Sequence, residues 1–482
     1  MDHRISRRRF VSASLGALAA SVLSKDQGFA DAPLFPQGET SATSTTTIIR
    51  AMKRTLEVNG KAADVLGLLQ PNGKQGMSCV ANELFNVRLE NQLPVPTAIH
   101  WHGLHPPNNE DGVPCVTQPV IRAGAADFYN FPTQPAGTHW MHSHQGLQEA
   151  LLLAAPLIVH DTADRVRDEQ EIVLLLSDYS FTSPEEIYAK LRQGQKMASA
   201  DMKARSKPDA NDVNYDAYLA NDRTLGDPEV VKVEKGGRVR LRIINGSSGT
   251  NFFIDLGTLT GALIATDGMP IRPVQRNRFP LAIAQRIDIM VRVPAEGGAF
   301  PILALRELAA EQTGIILATP GANVLRLPEK GSSPTGLLTL ELERQLTAAD
   351  PLKPKPPDVT SILNLQGNMS RYEWPINGIS FDVQDPGKEK AQVHVKYGQR
   401  VALKFVNQTP MSHPMHLHGH AFEVVAINDQ QFTGALRDSI LVPGRSSVTV
   451  EFDANNPGLW YVHCHILWHL AAGMAALVQY DA

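Results

Sequence analysis

One strand pattern occurs three times in this chain, and each copy ends in asparagine. Phe85-Asn86-Val87-Arg88-Leu89-Glu90-Asn91 has counterparts in Val239-Arg240-Leu241-Arg242-Ile243-Ile244-Asn245 and in Val401-Ala402-Leu403-Lys404-Phe405-Val406-Asn407. Apolar residues alternate, the two-residue period of a half-buried strand, and a basic residue stands fourth. The closing asparagines lie 154 and 162 positions apart, the length of one ordinary domain. Short alternating stretches separated by Gly, Pro and Asn fill the remainder, which predicts an all-β chain built from three related sandwich domains. At 482 residues, 43% hydrophobic and 20% charged, the chain has apolar material for several cores. Its net charge of −4 leaves no footprint for nucleic acid or an anionic membrane.

Counting from each asparagine brings the copies into register. Nine and eleven residues on, the first copy has His100 and His102 and the third has His416 and His418; the middle copy has Ile254 and Leu256. Six residues on, only the third copy has a histidine, His413, against Thr97 and Asn251. Further along, Gly137 stands five residues before His142-Ser143-His144, and Gly458 five before His463-Cys464-His465. Residues 161 to 345 contain no histidine, so the middle domain reads as a spacer.

On a strand, residues i and i+2 face one way and i+1 the other. His463 and His465 therefore share a face and Cys464 takes the opposite one. Cys464 with His413, His469 and Met474 supplies a thiolate, two imidazoles and a weak axial thioether, the donor set of a blue-copper electron-transfer site. The four His-x-His pairs supply eight imidazoles, enough for three copper ions across an interface between the first and third domains. A metal on Cys464 is joined to a metal on either neighbouring histidine by a few covalent bonds. Zinc has no use for that wire or for an axial methionine. Single electrons taken at the sulfur site would collect at the histidine cluster and reduce dioxygen to water.

Protons must reach the oxygen as well. Asp111, eleven residues after His100 and nine after His102, is the first acidic candidate, with a turn before Gly112 as its structural alternative; Asp438 is the second. His105, His139 and His420 fall outside the phase of the motifs and read as supporting or structural. His3, His160 and His394 receive no role.

The flanks give the domain limits: 45–160, 166–345 and 358–482, the last preceded by the Pro-rich linker Pro351 to Pro357. Ser183-Pro184-Glu185-Glu186 is a capping box with Pro at the first helical position, which predicts a short helix to about Arg192. The polar stretch onward to Asp212 reads as a solvated loop or a lid over a substrate site. Ser6-Arg7-Arg8-Arg9-Phe10-Val11 and the apolar run to Leu23 form a twin-arginine signal peptide, residues 1–32, directed to the export machinery of that route. The mature chain is expected in the periplasm, with no membrane insertion. Cys79 and Cys115 are left to form a disulfide or to stay as two buried thiols.

Taken together, His-Trp-His-Gly at 100–103, His-Ser-His at 142–144, His-Pro-Met-His-Leu-His-Gly at 413–419 and the run from His463 to Met474 make the chain resemble the three-domain multicopper oxidases, the group that includes laccases and bacterial copper-resistance oxidases. The resemblance spans residues 45–482. It implies three cupredoxin-like Greek-key sandwiches and four copper ions: type 2 on His100 and His416, one type 3 on His102, His142 and His465, the other type 3 on His144, His418 and His463, and type 1 on His413, Cys464, His469 and Met474. It also implies a laccase-like oxidase of phenols or other aromatics that uses dioxygen. The alternatives are a cuprous oxidase in periplasmic copper tolerance and, in a different class, a non-catalytic cell-envelope scaffold or copper-binding protein. Many relatives carry a carboxylate where this chain has Leu467 and Leu470, which puts more of the proton supply on Asp111 or on an acid elsewhere. No methionine-rich segment is present; Met411 and Met415 flank His413 and either touch a soft substrate or pack.

Overall fold

In the computed structural model the three Asn-terminated strands share one pairing scheme. Leu84–Asn91 pairs parallel with Thr47–Val58 and antiparallel with Ala126–Pro132. Arg238–Asn245 pairs parallel with Gln170–Tyr179 and antiparallel with Arg286–Arg292. Arg400–Asn407 pairs parallel with Val359–Leu365 and antiparallel with Ser447–Asp453. The asparagine does the same work each time. Its Nδ2 donates to two carbonyls of different segments: Val95 and Ile121 for Asn91, Thr250 and Leu281 for Asn245, Met411 and Val442 for Asn407. Its Oδ1 accepts from the backbone N–H two residues on. A short amide side chain that turns the chain and stitches the next strand explains the residue type.

The structure describes residues 46–193, 211–383, 385 and 390–482. The predicted signal peptide, 1–32, and most of the polar stretch before Asp212 lie outside them. Six sheets form three two-sheet sandwiches, and the all-β expectation holds. Separate apolar cores fill them, around Phe85, Trp101 and Phe131 in the first, Leu241, Phe252 and Ile289 in the second and Phe405, Val450 and Trp460 in the third. Leu84–Asn91 alternates in burial, as its sequence predicts. The histidine strands do not: Ile99–His102, Gly137–Ser143 and His413–Leu417 are buried at every position. One of their faces meets the core and the other meets a second sandwich.

The predicted helix is present as α1, Pro184–Arg192, with Ser183 Oγ accepting from the Glu186 N–H. It leans on the third sandwich: Tyr188 Oη donates to the Ala471 carbonyl at 2.8 Å and Arg192 to that of Tyr372 at 2.9 Å. The receiving segment is a second short helix, α2, Leu467–Ala471. No helix among the described residues is long and apolar enough to cross a membrane. Cys79 and Cys115 carry free thiols. Neither expected state holds in full, because Cys79 is partly buried beside Thr133, with its thiol pushed up to about 12 by burial, while Cys115 is exposed in a left-handed turn.

Candidate metal centres

Strand pairing assembles the histidines. His100 stands opposite His142 on neighbouring antiparallel strands, and His416 stands opposite His463. In each sandwich two His-x-His pairs thus share one face. The two faces then meet: the His100 ring lies 3.8 Å from that of His418, and the His102 ring stacks at 3.8 Å on His416. Three donor groups result, His100 with His102 and His416, His102 with His142 and His465, and His144 with His418 and His463. Trp140 closes one side, stacked on His142 at 4.1 Å.

Five of the ring nitrogens turned away from the centre are committed to acceptors. His100 Nδ1 donates to the Asp111 carbonyl at 2.8 Å and His416 Nδ1 to that of Asp438 at 2.8 Å. His418 Nδ1 donates to Asp111 Oδ2 at 2.9 Å, His463 Nδ1 to the Cys464 carbonyl at 2.9 Å, and His102 Nε2 to Asp438 Oδ1 at 3.1 Å. The inward nitrogens of these five rings therefore carry lone pairs, and they confront one another and His142. His100 and His416 Nε2 are 3.4 Å apart, His418 and His463 Nε2 3.0 Å, and His102 Nδ1 and His142 Nε2 3.4 Å. His144 and His465 Nε2 are buried without a hydrogen-bond partner. Burial, and after it the neighbouring imidazoles, holds His102, His142, His144, His416 and His418 well below the usual histidine range, the neutral state that donates to a metal. Facing lone pairs in a dry site repel unless a cation lies between them, so the residues fit metal ions.

Cys464 faces the other way. Its Sγ lies 3.7 Å from His413 Nδ1 and 3.7 Å from His469 Nδ1, and those nitrogens are 3.1 Å apart. All three side chains and Met474 are buried. Met474 is held by Cys464 N–H donating to its carbonyl at 3.0 Å. The far nitrogens are again committed: His413 Nε2 to Thr409 Oγ1 at 2.8 Å and His469 Nε2 to Asp212 Oδ2 at 2.9 Å. Thr409 spends its own proton on Asn407 Oδ1, so it accepts from His413. Thr409→Val removes that acceptor, and we expect it to weaken copper at this site about 10- to 100-fold, read by competition titration of the blue band.

Asp111 sits where the sequence places it, fully buried, bridging His100 and His418 of different sandwiches. Gly112 follows at φ +89°, where a Cβ would fall 1.9 Å from the Ile99 carbonyl, so the turn reading holds. Asp438 also touches two ligands, His102 through its carboxylate and His416 through its carbonyl. His139 Nε2 donates to the Pro135 carbonyl, and His420 bonds the His418 carbonyl and Tyr480 Oη. His160 and His394 pair with Glu171 and Asp481 away from the centres, and His3 lies outside the described residues.

Two acids escaped the sequence. A Glu149 carboxylate oxygen lies 2.7 Å from His142 Nδ1, and the other lies 3.9 Å from His465 Nδ1; neither contact is aligned as a hydrogen bond. Burial pushes its carboxyl well above the usual range. Asp212, the last residue of the stretch read as loop or lid, bonds His469 and accepts from Tyr372 Oη. A signal for Glu149 was available, since it follows His144 closely. Asp212 had none. Met411 and Met415 are buried, 2% and 0% exposed, and pack in the core of the third sandwich.

Two cavities adjoin the centres. One, of about 370 Å³, is lined by Asp212, Tyr372, Met369, Ile187, Lys190 and Leu191 beside His469. The other, of about 460 Å³, is walled by Val113, Leu147, Tyr461, Leu467 and Leu470 and ends at His144. The leucines in place of a carboxylate thus make an apolar passage.

The first sandwich has the counterpart of the sulfur site, filled differently. Thr97, Ser143 and Gln148 stand at the offsets of His413, Cys464 and His469. Thr97 Oγ1 and Ser143 Oγ both donate to Gln148 Oε1 at 2.8 Å. A neutral hydrogen-bonded triad occupies the position of the metal.

Comparison with known proteins agrees with this geometry. Family models described as multicopper oxidase match residues 72–164, 170–321 and 354–482. The chain is 32% identical over 412 residues to multicopper oxidase MmcO of Mycobacterium tuberculosis (strain ATCC 25618 / H37Rv), covering 82% of this chain and 79% of the relative. It is 26% identical over 530 residues to laccase-1 of Thanatephorus cucumeris, covering 88% and 90%. In fold it is similar to the crystal structure of Fet3p, a multicopper oxidase that functions in iron import, with a TM-score of 0.75 at 18% identity over 90% of each chain.

Proposed function

The chain belongs to the multicopper oxidases, and from that premise we propose that it is a laccase-like enzyme oxidising small phenolic or aromatic donors at the His469 edge. As in its family, copper is the cofactor and dioxygen the acceptor. Bound copper supplies one-electron transfer at the sulfur site and four-electron reduction of dioxygen at the histidine cluster.

We assign type 2 copper to His100 and His416, the type 3 pair to His102, His142 and His465 and to His144, His418 and His463, and type 1 to His413, Cys464, His469 and Met474. The sandwiches are taken as repeats spanning 45–160, 166–345 and 358–482. The observation that carries this reading is the confrontation of lone-pair nitrogens at 3.0–3.4 Å, with the one thiol turned to the opposite face. Metal analysis with optical and paramagnetic spectra, together with oxygen uptake on a reducing dye, tests it. We expect one type 1 site, one type 2 site and a coupled type 3 pair. A fully copper-loaded protein that consumes no oxygen overturns it.

Phenols are favoured over Cu(I) by the donor cavity. Asp212 Oδ1 is buried there without a hydrogen-bond partner, poised to accept from a phenol O–H, and apolar Ile187 and Leu191 offer ring contact. Among its described lining residues Met369 is the one soft donor, thin provision for a cuprous ion. Because Asp212 also holds His469, the test is run with type 1 copper kept saturated: Asp212→Ala should then raise KM for phenols about tenfold or more, the worth of a lost hydrogen bond to a carboxylate, and KM for ferrocyanide far less. Equal losses for both donors would remove Asp212 from phenol binding.

Asp111 is the acid we place beside the oxygen site: its buried carboxylate accepts from His418 through Oδ2 and lies 3.2 Å from His100 Nδ1 through Oδ1, so it touches ligands from both sandwiches. Glu149 is a second acid, beside His142. The twin-arginine motif supports export of the chain to the periplasm.

A further inference from the structure

We propose that Arg286, from the sandwich that supplies no metal ligand, is a positioning residue of the trinuclear cluster, acting through Asp438 on His102 and His416. The inference rests on the ligand assignment above.

Arg286 is fully buried, and all five of its N–H donors are used. Nε donates to the Thr138 carbonyl at 3.1 Å, four residues before His142 on the same strand. Nη1 donates to the Ala284 carbonyl at 3.1 Å and to Asp438 Oδ1 at 2.6 Å. Nη2 donates to the Asp267 carbonyl at 3.0 Å and to Asp438 Oδ2. One planar side chain therefore joins all three sandwiches, and its fork grips a single carboxylate with both arms.

That carboxylate is aimed at the cluster. Oδ1 of Asp438 accepts from His102 Nε2 at 3.1 Å and from Ser439 Oγ at 2.9 Å, and the Asp438 carbonyl accepts from His416 Nδ1 at 2.8 Å. His102 offers Nδ1 to the metal group only while its proton stays on Nε2, and Asp438 Oδ1, with Ser439 Oγ beside it at 3.2 Å and itself bonded to that carboxylate, keeps it there. With the fork removed, the carboxylate loses its in-plane anchor and can rotate. His102 is then free to take the other tautomer, with an N–H where a lone pair is needed. The residue after His102 leaves room for the clamp. A Cβ on Gly103 would fall 2.6 Å from Arg286 Nη2 and 3.2 Å from Asp438 Oδ2.

Arg286→Lys keeps the charge without the fork, and Asp438→Asn keeps the shape without the charge. Both are compared with wild type as copper-loaded full chains, by copper content and by optical and paramagnetic spectra. The blue band reports the third sandwich and serves as the internal control for folding. We expect both variants to keep that band while copper affinity of the type 2 and type 3 sites falls about 10- to 100-fold, with the magnetic coupling of the pair lost. Full type 3 coupling in both variants overturns the proposal, as does an equal loss of blue and cluster copper in both, which would mark a general structural pin. If wild type itself lacks a coupled pair, the ligand assignment has failed instead.

Discussion

Cys464→Ser is expected to give a colourless protein that retains the cluster copper and shows no oxidation of any donor above background. Cys464 is bonded along the backbone to members of two of the histidine groups, His463 on one side and His465 on the other. Serine has nearly the same volume, so the buried site should still fold, with His413 and His469 in place. Its hydroxyl stays protonated and is a hard donor, so neither the thiolate charge-transfer band nor the covalent sulfur path survives. The first sandwich shows the outcome of such a change, since Ser143 there simply donates to Gln148. Absorption spectra, copper analysis and oxygen uptake check the result together. A blue or turning-over variant would falsify the single-entrance reading.

Removing copper should make the protein sharply acid-sensitive. The eight rings of His102, His142, His144, His413, His416, His418, His463 and His465 are all held below the ordinary histidine value, His463 at about 4, chiefly by burial. An unfolded chain binds protons on these rings from about pH 6.5 downward, while the folded copper-free state refuses them. The unfolded state then holds more protons, so stability falls as pH falls. Above pH 6.5 both states are neutral at these rings and nothing changes. Between pH 6.5 and about 4 each ring costs about 1.4 kcal/mol per pH unit. Several rings acting in the same direction cost more than the raised carboxyl of Glu149 returns, so the copper-free form should lose stability steadily as pH falls below 6.5. Bound copper occupies the lone pairs and moves the transition to lower pH. Thermal melts of both forms from pH 7.5 to 4.5 decide it; a flat copper-free melting temperature between pH 7 and 5 would refute the account.

The legible part of this molecule is the part encoded by short spacing. Two-residue alternation put His463 and His465 on one face and Cys464 on the other, and counting from Asn91 and Asn407 aligned the four pairs before any coordinates. Asp111 was readable because it lies eleven residues from His100. What could not be read is what the fold brings from afar. Asp212 meets His469 across 257 residues, and Arg286 meets Asp438 across 152. Both belong to the sandwich region without histidine, which looked like a spacer because its contribution is to hold other groups rather than to bind metal. Leu467 and Leu470 left the place of an acid open, and packing brings Glu149 within 2.7 Å of His142.

The neutral triad of Thr97, Ser143 and Gln148 has a consequence for throughput. With that position closed, the first sandwich offers no door of this kind for reducing equivalents, and those entering through a site at Cys464 must arrive in series. Dioxygen needs four of them, so each cycle waits on four successive visits by a donor to the same doorstep. A slow or scarce donor therefore leaves the interior half-loaded for most of its time, and the dry, tightly held interior between the sandwiches is what keeps that unfinished load from leaking out.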